Sequence, residues 1–264
     1  MNRNELAHDI RAAGVMPGGL LALHSSMKSM GWVEGGPNTV VDAFLDVLGP
    51  GGTLMVPTFT YGPDHAGKPF DPETSAPVTG LIPRTLWRRS DSVRSIAPTH
   101  SVAAIGGRAL DLTRDHLYAT TLGRHSPFHR LAEWGGFVML LGCSHNSNSL
   151  IHVAESLAEL PYIYVPALAG SGGFCEVRQK DGRVKKIQLT EFTGCSKGFF
   201  KAETPLRAAG VIRDAKIGQA TVQLMRASEV LGVLTPLLRA DPCLLFCDKP
   251  TCSFCVPRRE SLRL

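Results

Sequence analysis

The stretch "NSLIHVAESLAEL", Asn148 to Leu160, carries a histidine and a glutamate three residues apart. Read as a helix, it puts Ser149, His152, Glu155 and Ser156 on one face, because residues three and four apart are neighbours there. A carboxylate that accepts from one imidazole nitrogen fixes the tautomer, stabilises the imidazolium and leaves the other nitrogen to act as a base. The same spacing also describes a hydrogen-bonded polar pair at a helix start, and spacing alone does not separate the two. A second group lies in "CLLFCDKPTCSFC", which holds Cys243, Cys247, Cys252 and Cys255 within thirteen residues. Four thiolates suit tetrahedral zinc. Most four-cysteine sites, however, use two Cys-x-x-Cys pairs, and here apolar residues separate Cys243 from Cys247. We expect packed, reduced thiols and no metal.

Other histidines sort by context. His24 ends an apolar run, His100 lies in "APTHSVAAIG", and His145 and His152 bracket the turn after "FVMLLG". The carboxyl ends of sheet strands are where α/β proteins bind ligands. His8, His65, His116, His125 and His129 stand in polar or helical contexts and read as surface residues.

The positioning elements follow from hydrophobic period and punctuation. "LLALHSS" (20–26) reads as a buried strand that turns polar at its end. A glycine-rich loop follows, then apolar positions at helical spacing over 38–48, with Pro37 in the first turn and Gly49-Pro50 as the stop. "TLMVPTFTY" (53–61) is the next strand, so the order is that of a βαβ unit with parallel pairing. Residues 62–79 form a long irregular stretch, the kind that is often functional. Helices are expected near 80–90, 107–116, 126–134, 197–209 and 227–239. Strands are expected near 101–105 and at "FVMLLG", with a hairpin over 174–189 and a strand pair over 211–226. We expect one α/β domain over 1–264, with a mixed, largely parallel central sheet flanked by helices and an irregular C-terminal portion.

Composition narrows the function. With 44% apolar and 19% charged residues the chain can bury a large core. No apolar run approaches the roughly 20 residues of a membrane span, and the first residues do not read as a secretory signal, so a cytoplasmic protein is expected. The net charge of +5 comes from scattered basic residues rather than a stripe with stacking aromatics, which argues against nucleic acid. Seven cysteines, an odd number, argue against a disulfide framework. "GPDHAGKP" (62–69) has P-loop spacing but puts Pro69 where the metal-binding hydroxyl belongs, with no helix after it. No G-x-S-x-G elbow and no G-x-G-x-x-G after a strand occur.

Several ordered blocks resemble the aminoglycoside 3-N-acetyltransferase family, also called the antibiotic acetyltransferase family. They are "LALHSSMKSMGWVEGGPNTVVDAFLDVLGPGGTLMVPTFTY", "FDPETSAPVTGLIPRTLWRR", "VRSIAPTHSVAAIGGRA" and "SPFHRLAEWGGFVMLLGCSHNSNSLIHVAE". Together they span about residues 15–160. The resemblance implies an antibiotic-acetyltransferase-like fold. It also implies acetyl transfer from acetyl-CoA to an amine of an aminoglycoside, the 3-amine being the expected site, and hence resistance. The alternative acceptor is a biosynthetic amine, such as an amino sugar or an aminophosphonate.

By motif match His152 takes the place of the catalytic histidine and Glu155 that of its carboxylate, with Ser149 as a hydroxyl one turn away. Oxyanion donors are expected from the His24-Ser25-Ser26 turn or from Ser149. For CoA the match points to Ser25, Ser26, Gly31, Gly35 and Gly36, with Lys28, Arg94 and Ser101 adding charge and donors. For the acceptor it points to Asp64, Asp71 and Glu73 in the acidic loop and to Asn146, where relatives often carry Asp.

Overall fold

The computed structural model describes residues 1–61, 65–116, 121–164 and 173–262. Its strands are β1 (Leu20–Ser25), β2 (Thr53–Pro57), β3 (Val93–Arg94), β4 (Val102–Gly106), β5 (Phe137–Leu141), β6 (Phe174–Arg178), β7 (Val184–Gln188), β8 (Arg213–Ile217) and β9 (Ala220–Arg226). Its helices are α1 (Arg3–Ala12), α2 (Gly36–Leu48), α3 (Leu81–Trp87), α4 (Ala109–Thr113), α5 (Pro127–Glu133), α6 (Leu150–Leu157), α7 (Glu203–Ala208), α8 (Ala227–Ala240) and α9 (Cys255–Ser261).

Local chemistry starts these elements. Asn2 and Glu5 satisfy each other's backbone amides in a capping box that opens α1. Pro37 sits in the first turn of α2 and Gly49 closes it at φ 64°. Between β1 and β2 this helix makes the crossover, and the two strands pair in parallel, Leu20 opposite Thr53.

Seven strands form one sheet in the order β3-β4-β2-β1-β5-β9-β8. The sheet is mixed, as expected, but parallel pairing is confined to β2, β1 and β5. β4 returns antiparallel beside β2, and β8 and β9 form an antiparallel hairpin against β5. The expectation of a largely parallel sheet therefore holds only at its centre. The parallel pairs β1–β2 and β1–β5 are joined through connections that carry helices, as parallel pairing requires. The hairpin β6-β7 stands apart as a second, two-stranded sheet.

Both faces of the large sheet are covered. Leu21 and Leu23 of β1 face a core built with α1, α2 and α3, while Leu20 and Ala22 face one built with α4, α5, α6 and α8. This alternation is the two-residue period of a strand buried on both sides. The second core also takes in Leu245, Phe246, Cys247, Cys252 and Cys255, so the C-terminal segment is packed against the helices below the sheet. Among the described residues no helix is long and apolar enough to cross a membrane.

Candidate active site

The parallel strands β1 and β5 end side by side, Ser25 opposite Leu141. A cleft of about 1160 Å³ opens at these ends. It is lined by His24 and Ser25 from β1, Asn146 and Ser149 from the turn after β5, and His152 from α6. Its far wall comes from the segments 189–199 and 249–254.

Gly142, at φ 64°, turns the chain out of β5 into a short helical turn at His145–Ser147, and α6 begins at once. Ser149 starts α6 in the right-handed helical conformation, φ −64° and ψ −18°, rather than the extended one of a capping serine. Its side chain does not cap the helix, and it lies on the cleft wall.

His152 Nδ1 lies 2.6 Å from Glu155 Oε2. Glu155 is 3% exposed, so an uncompensated carboxylate would be costly there. Burial pushes its carboxyl up. The His152 hydrogen bond and charge, the Arg258 charge and the Tyr162 hydroxyl together outweigh that push and hold it below the ordinary carboxylate range. Tyr162 donates to Glu155 Oε1 at 3.0 Å, and the Arg258 guanidinium lies 4.8 Å from the Tyr162 ring centroid. Phe199 packs edge-on to the imidazole at 4.8 Å. One imidazole nitrogen is thus committed to an ionised, braced carboxylate, and Nε2 remains for proton transfer at the cleft.

The neighbouring histidines are of another kind. His24 is buried, its ring accepts from the Ser149 amide at 3.4 Å, and desolvation lowers it to about 3. His100, also on the cleft, is lowered to about 3 by burial and by the charges of His152 and His116. Both are neutral at pH 7 and are acceptors or donors, not bases. His116, expected at the surface, is 2% exposed; it bonds the Ser95 hydroxyl at 2.9 Å and the Thr121 carbonyl at 3.0 Å.

Of the residues expected to bind CoA, Ser25 lines the cleft, and its hydroxyl is buried with no hydrogen-bond partner among the described residues. The Ser26 amide is used by the Leu141 carbonyl. Arg94 and Ser101 are placed elsewhere. Arg94 donates to the Thr58, Pro72 and Ser75 carbonyls and to the Ser101 hydroxyl, between the rings of Phe70 and Trp87. It ties the 70–76 stretch to the sheet and is no free cation. Lys28, Gly31, Gly35 and Gly36 also lie outside the cleft lining. The three glycines turn at φ between 64° and 75°, conformations that a side chain would strain.

Of the expected acceptor residues, Asn146 lines the cleft, with its carbonyl oxygen committed to the Phe200 amide at 2.9 Å. Asp71 and Glu73 do not. Asp71 accepts from the Glu73 amide and faces Arg178 at 3.7 Å, closing a turn of its own loop. Asp64 lies outside the described residues. Among the described residues, the Asp, Glu, Lys and Arg side chains that line the cleft are Glu191, Lys197 and Lys249. Sequence reading missed Tyr162, which follows α6 in the chain, and Arg258, Phe199 and Glu191, which reach the site from distant segments; none carries a local motif.

A family model described as aminoglycoside 3-N-acetyltransferase matches residues 22–239. The chain belongs to this family. It is 34% identical over 249 residues to an aminoglycoside N(3)-acetyltransferase IV from Salmonella sp, covering 93% of this chain and 90% of the relative. The apoenzyme crystal structure of the aminoglycoside acetyltransferase AAC(3)-IVa aligns with a TM-score of 0.85 and 31% identity, over 98% of this chain and 97% of that one. A histidine-to-alanine variant of that enzyme has been solved with a gentamicin. AAC-IIIb, solved with CoASH, aligns with a TM-score of 0.78 and 26% identity, over 91% of this chain and 97% of that one. Family membership makes the chain an acyltransferase that moves an acetyl group to an aminoglycoside amine.

Proposed function

We propose that the cleft holds acetyl-CoA and an aminoglycoside together and that His152 is the general base for direct transfer. The observation that carries this is the His152 Nδ1–Glu155 Oε2 contact of 2.6 Å on the cleft wall. An acceptor amine is largely protonated at neutral pH, with a pKa of about 10 on the lysine scale. The ammonium first gives one proton to solvent; as the freed amine nitrogen attacks the acetyl carbonyl, His152 Nε2 takes a second. The C–N bond forms and the C–S bond breaks, and the imidazolium returns its proton to the leaving sulfur. Glu155 keeps the imidazole in the productive tautomer and offsets the charge it gains.

The negative charge on the attacked oxygen needs a donor. The buried Ser25 hydroxyl, without a partner among the described residues, supports that role, with Ser149 also on the cleft wall. The seven cysteines, free of disulfides, suit the reducing cytoplasm, where acetyl-CoA is made.

The test is an acceptor panel with acetyl-CoA and a thiol reagent that reports free CoA. Aminoglycosides bearing a 3-amine are expected to release CoA; silence with all of them overturns the acceptor assignment. The panel includes an aminophosphonate, because Lys197 and Lys249 line the same cleft and would suit an anionic acceptor. His152→Ala is expected to lower kcat by about 10²–10⁴-fold, the span of general-base catalysis. CoA should still bind, as read by calorimetry. Near-normal turnover would remove His152 from the role.

A further inference from the structure

The fold gathers three of the four tail cysteines and adds a fourth from elsewhere. The sulfurs of Cys195, Cys247, Cys252 and Cys255 all lie within 4.8 Å of one another. Cys243 is not in the group; it packs against the core below the sheet. We propose that Cys195, Cys247, Cys252 and Cys255 bind one zinc ion as a closed four-thiolate site that clips the C-terminal segment to the wall of the transfer cleft.

Distance supports this first. A tetrahedron with Zn–S bonds of about 2.3 Å puts its sulfurs roughly 3.8 Å apart. The quartet needs to contract by at most about an ångström to reach that geometry. Four protein ligands fill the shell, which is the structural kind of site and leaves no position open for substrate.

The surroundings point the same way. The Cys195 sulfur accepts from the Lys197 amide at 3.4 Å, and the Cys252 sulfur accepts from the Cys255 amide at 3.4 Å. Amides aimed at sulfur favour the thiolate, and such donors are the usual outer support of a metal–thiolate centre. Zinc with four thiolates carries a net charge of −2, and each thiol gives its proton to solvent on binding. Cations stand ready. Arg259 donates to the Cys247 carbonyl at 2.9 Å, and the Arg258 guanidinium lies against Gly194, beside Cys195. Packed neutral thiols, the expectation from sequence, would need neither the aimed amides nor these cations.

The ion has a structural task. Residues 241–254 contain no regular helix or strand, yet Lys249, Thr251, Cys252, Ser253 and Phe254 line the cleft, as do Cys195 and Lys197 from the opposing segment. One ion would cross-link these two walls over the 51 residues between Cys195 and Cys247. It would also fix the start of α9, which carries Arg258 behind Tyr162 and Glu155.

The test needs neither acetyl-CoA nor an acceptor, so it stands or falls apart from the transfer assignment. Full-length protein purified under reducing conditions without chelator is analysed for metals. About one zinc per chain is expected, as a single four-ligand site requires. Stripped protein titrated with Co²⁺ should show sulfur-to-cobalt charge transfer in the near ultraviolet and intense tetrahedral d–d bands. Cys243→Ser should keep the metal, and Cys247→Ser should lose it. If Cys247→Ser fails to fold, the cobalt spectrum of the unsubstituted protein decides. Substoichiometric zinc together with no thiolate–cobalt bands in protein whose thiols remain reduced overturns the proposal. Loss of metal from Cys243→Ser overturns the choice of ligands.

Discussion

At the scale of single residues the site is a relay that ends in the protein interior. His152 meets the cleft, Glu155 stands behind it, and Tyr162 and Arg258 stand behind Glu155. The first two were legible in the sequence because their link is local, three residues along one helix. The last two were not, since nothing in "PYIY" or "VPRRES" marks a residue that stands behind a buried carboxylate. Tyr162 is a positioning residue in this account. Tyr162→Phe removes one hydrogen bond to a buried anion, a bond worth about 1.5–3 kcal/mol, so kcat is expected to fall by roughly tenfold or more while the acceptor KM holds. Because that hydrogen bond helps to lower the Glu155 carboxyl, its loss raises the carboxyl and moves the acid limb of the kcat profile to higher pH. An unchanged limb would show that Tyr162 merely fills space. Arg94 gives the opposite lesson. A cation expected to add charge for CoA is held by three backbone carbonyls and two aromatic faces, where it braces the 70–76 stretch.

At the scale of elements, the crossover from β1 through α2 to β2 was readable because its ends carry their own chemistry: Pro37 at the start, Gly49 at the stop, and continuous apolar runs on both sides. The direction of β4 was not readable. It depends on how a long irregular connection returns, and no residue of "SVAAIG" encodes that. The element that aims the site is the turn between β5 and α6. Gly142 adopts φ 64°, and a Cβ there would collide with the Ser29 hydroxyl and side chain. Gly142→Ala should cost about 2–4 kcal/mol, the left-handed penalty plus overpacking. The chain would relieve the clash by moving the 143–149 turn, so activity should fall further than stability alone explains. Denaturant midpoints and kcat measured on the folded fraction test this. A variant with wild-type kcat and midpoint would mean that the turn is not set at Gly142.

At the scale of the whole molecule, the seven-stranded sheet supplies strand ends, and the C-terminal segment supplies the opposing wall. Lys249, Thr251, Cys252, Ser253 and Phe254 line the cleft between them. Family blocks were legible upstream, through Glu155, whereas Cys195 was invisible as a partner of the tail, since 51 residues separate it from Cys247. The same packing desolvates the imidazoles of His24, His100 and His116, and this sets how the fold responds to acid. Desolvation lowers His24 to about 3, His100 to about 3 and His116 to about 4, even though the Thr121 carbonyl pulls His116 back up. In the unfolded chain each would titrate near about 6.5. Between that value and about 4 the unfolded chain therefore binds more protons than the folded one, so folding stability rises with pH across this window and is lost as pH falls. Each imidazole contributes at most about 1.4 kcal/mol per pH unit, and the three together about 5 kcal/mol between pH 7 and pH 5. That is a large share of the roughly 5–15 kcal/mol typical of a folded domain. Glu155, held below the ordinary carboxylate range, adds a loss of the same sign only further down, as pH falls through its folded value. Urea midpoints at pH 7 and pH 5 should therefore differ markedly, with metal content measured at both. His116→Gln keeps a donor for the Thr121 carbonyl but cannot charge, so it should remove about one imidazole's share of the slope. Equal midpoints at the two pH values would show that the buried imidazoles do not govern acid stability.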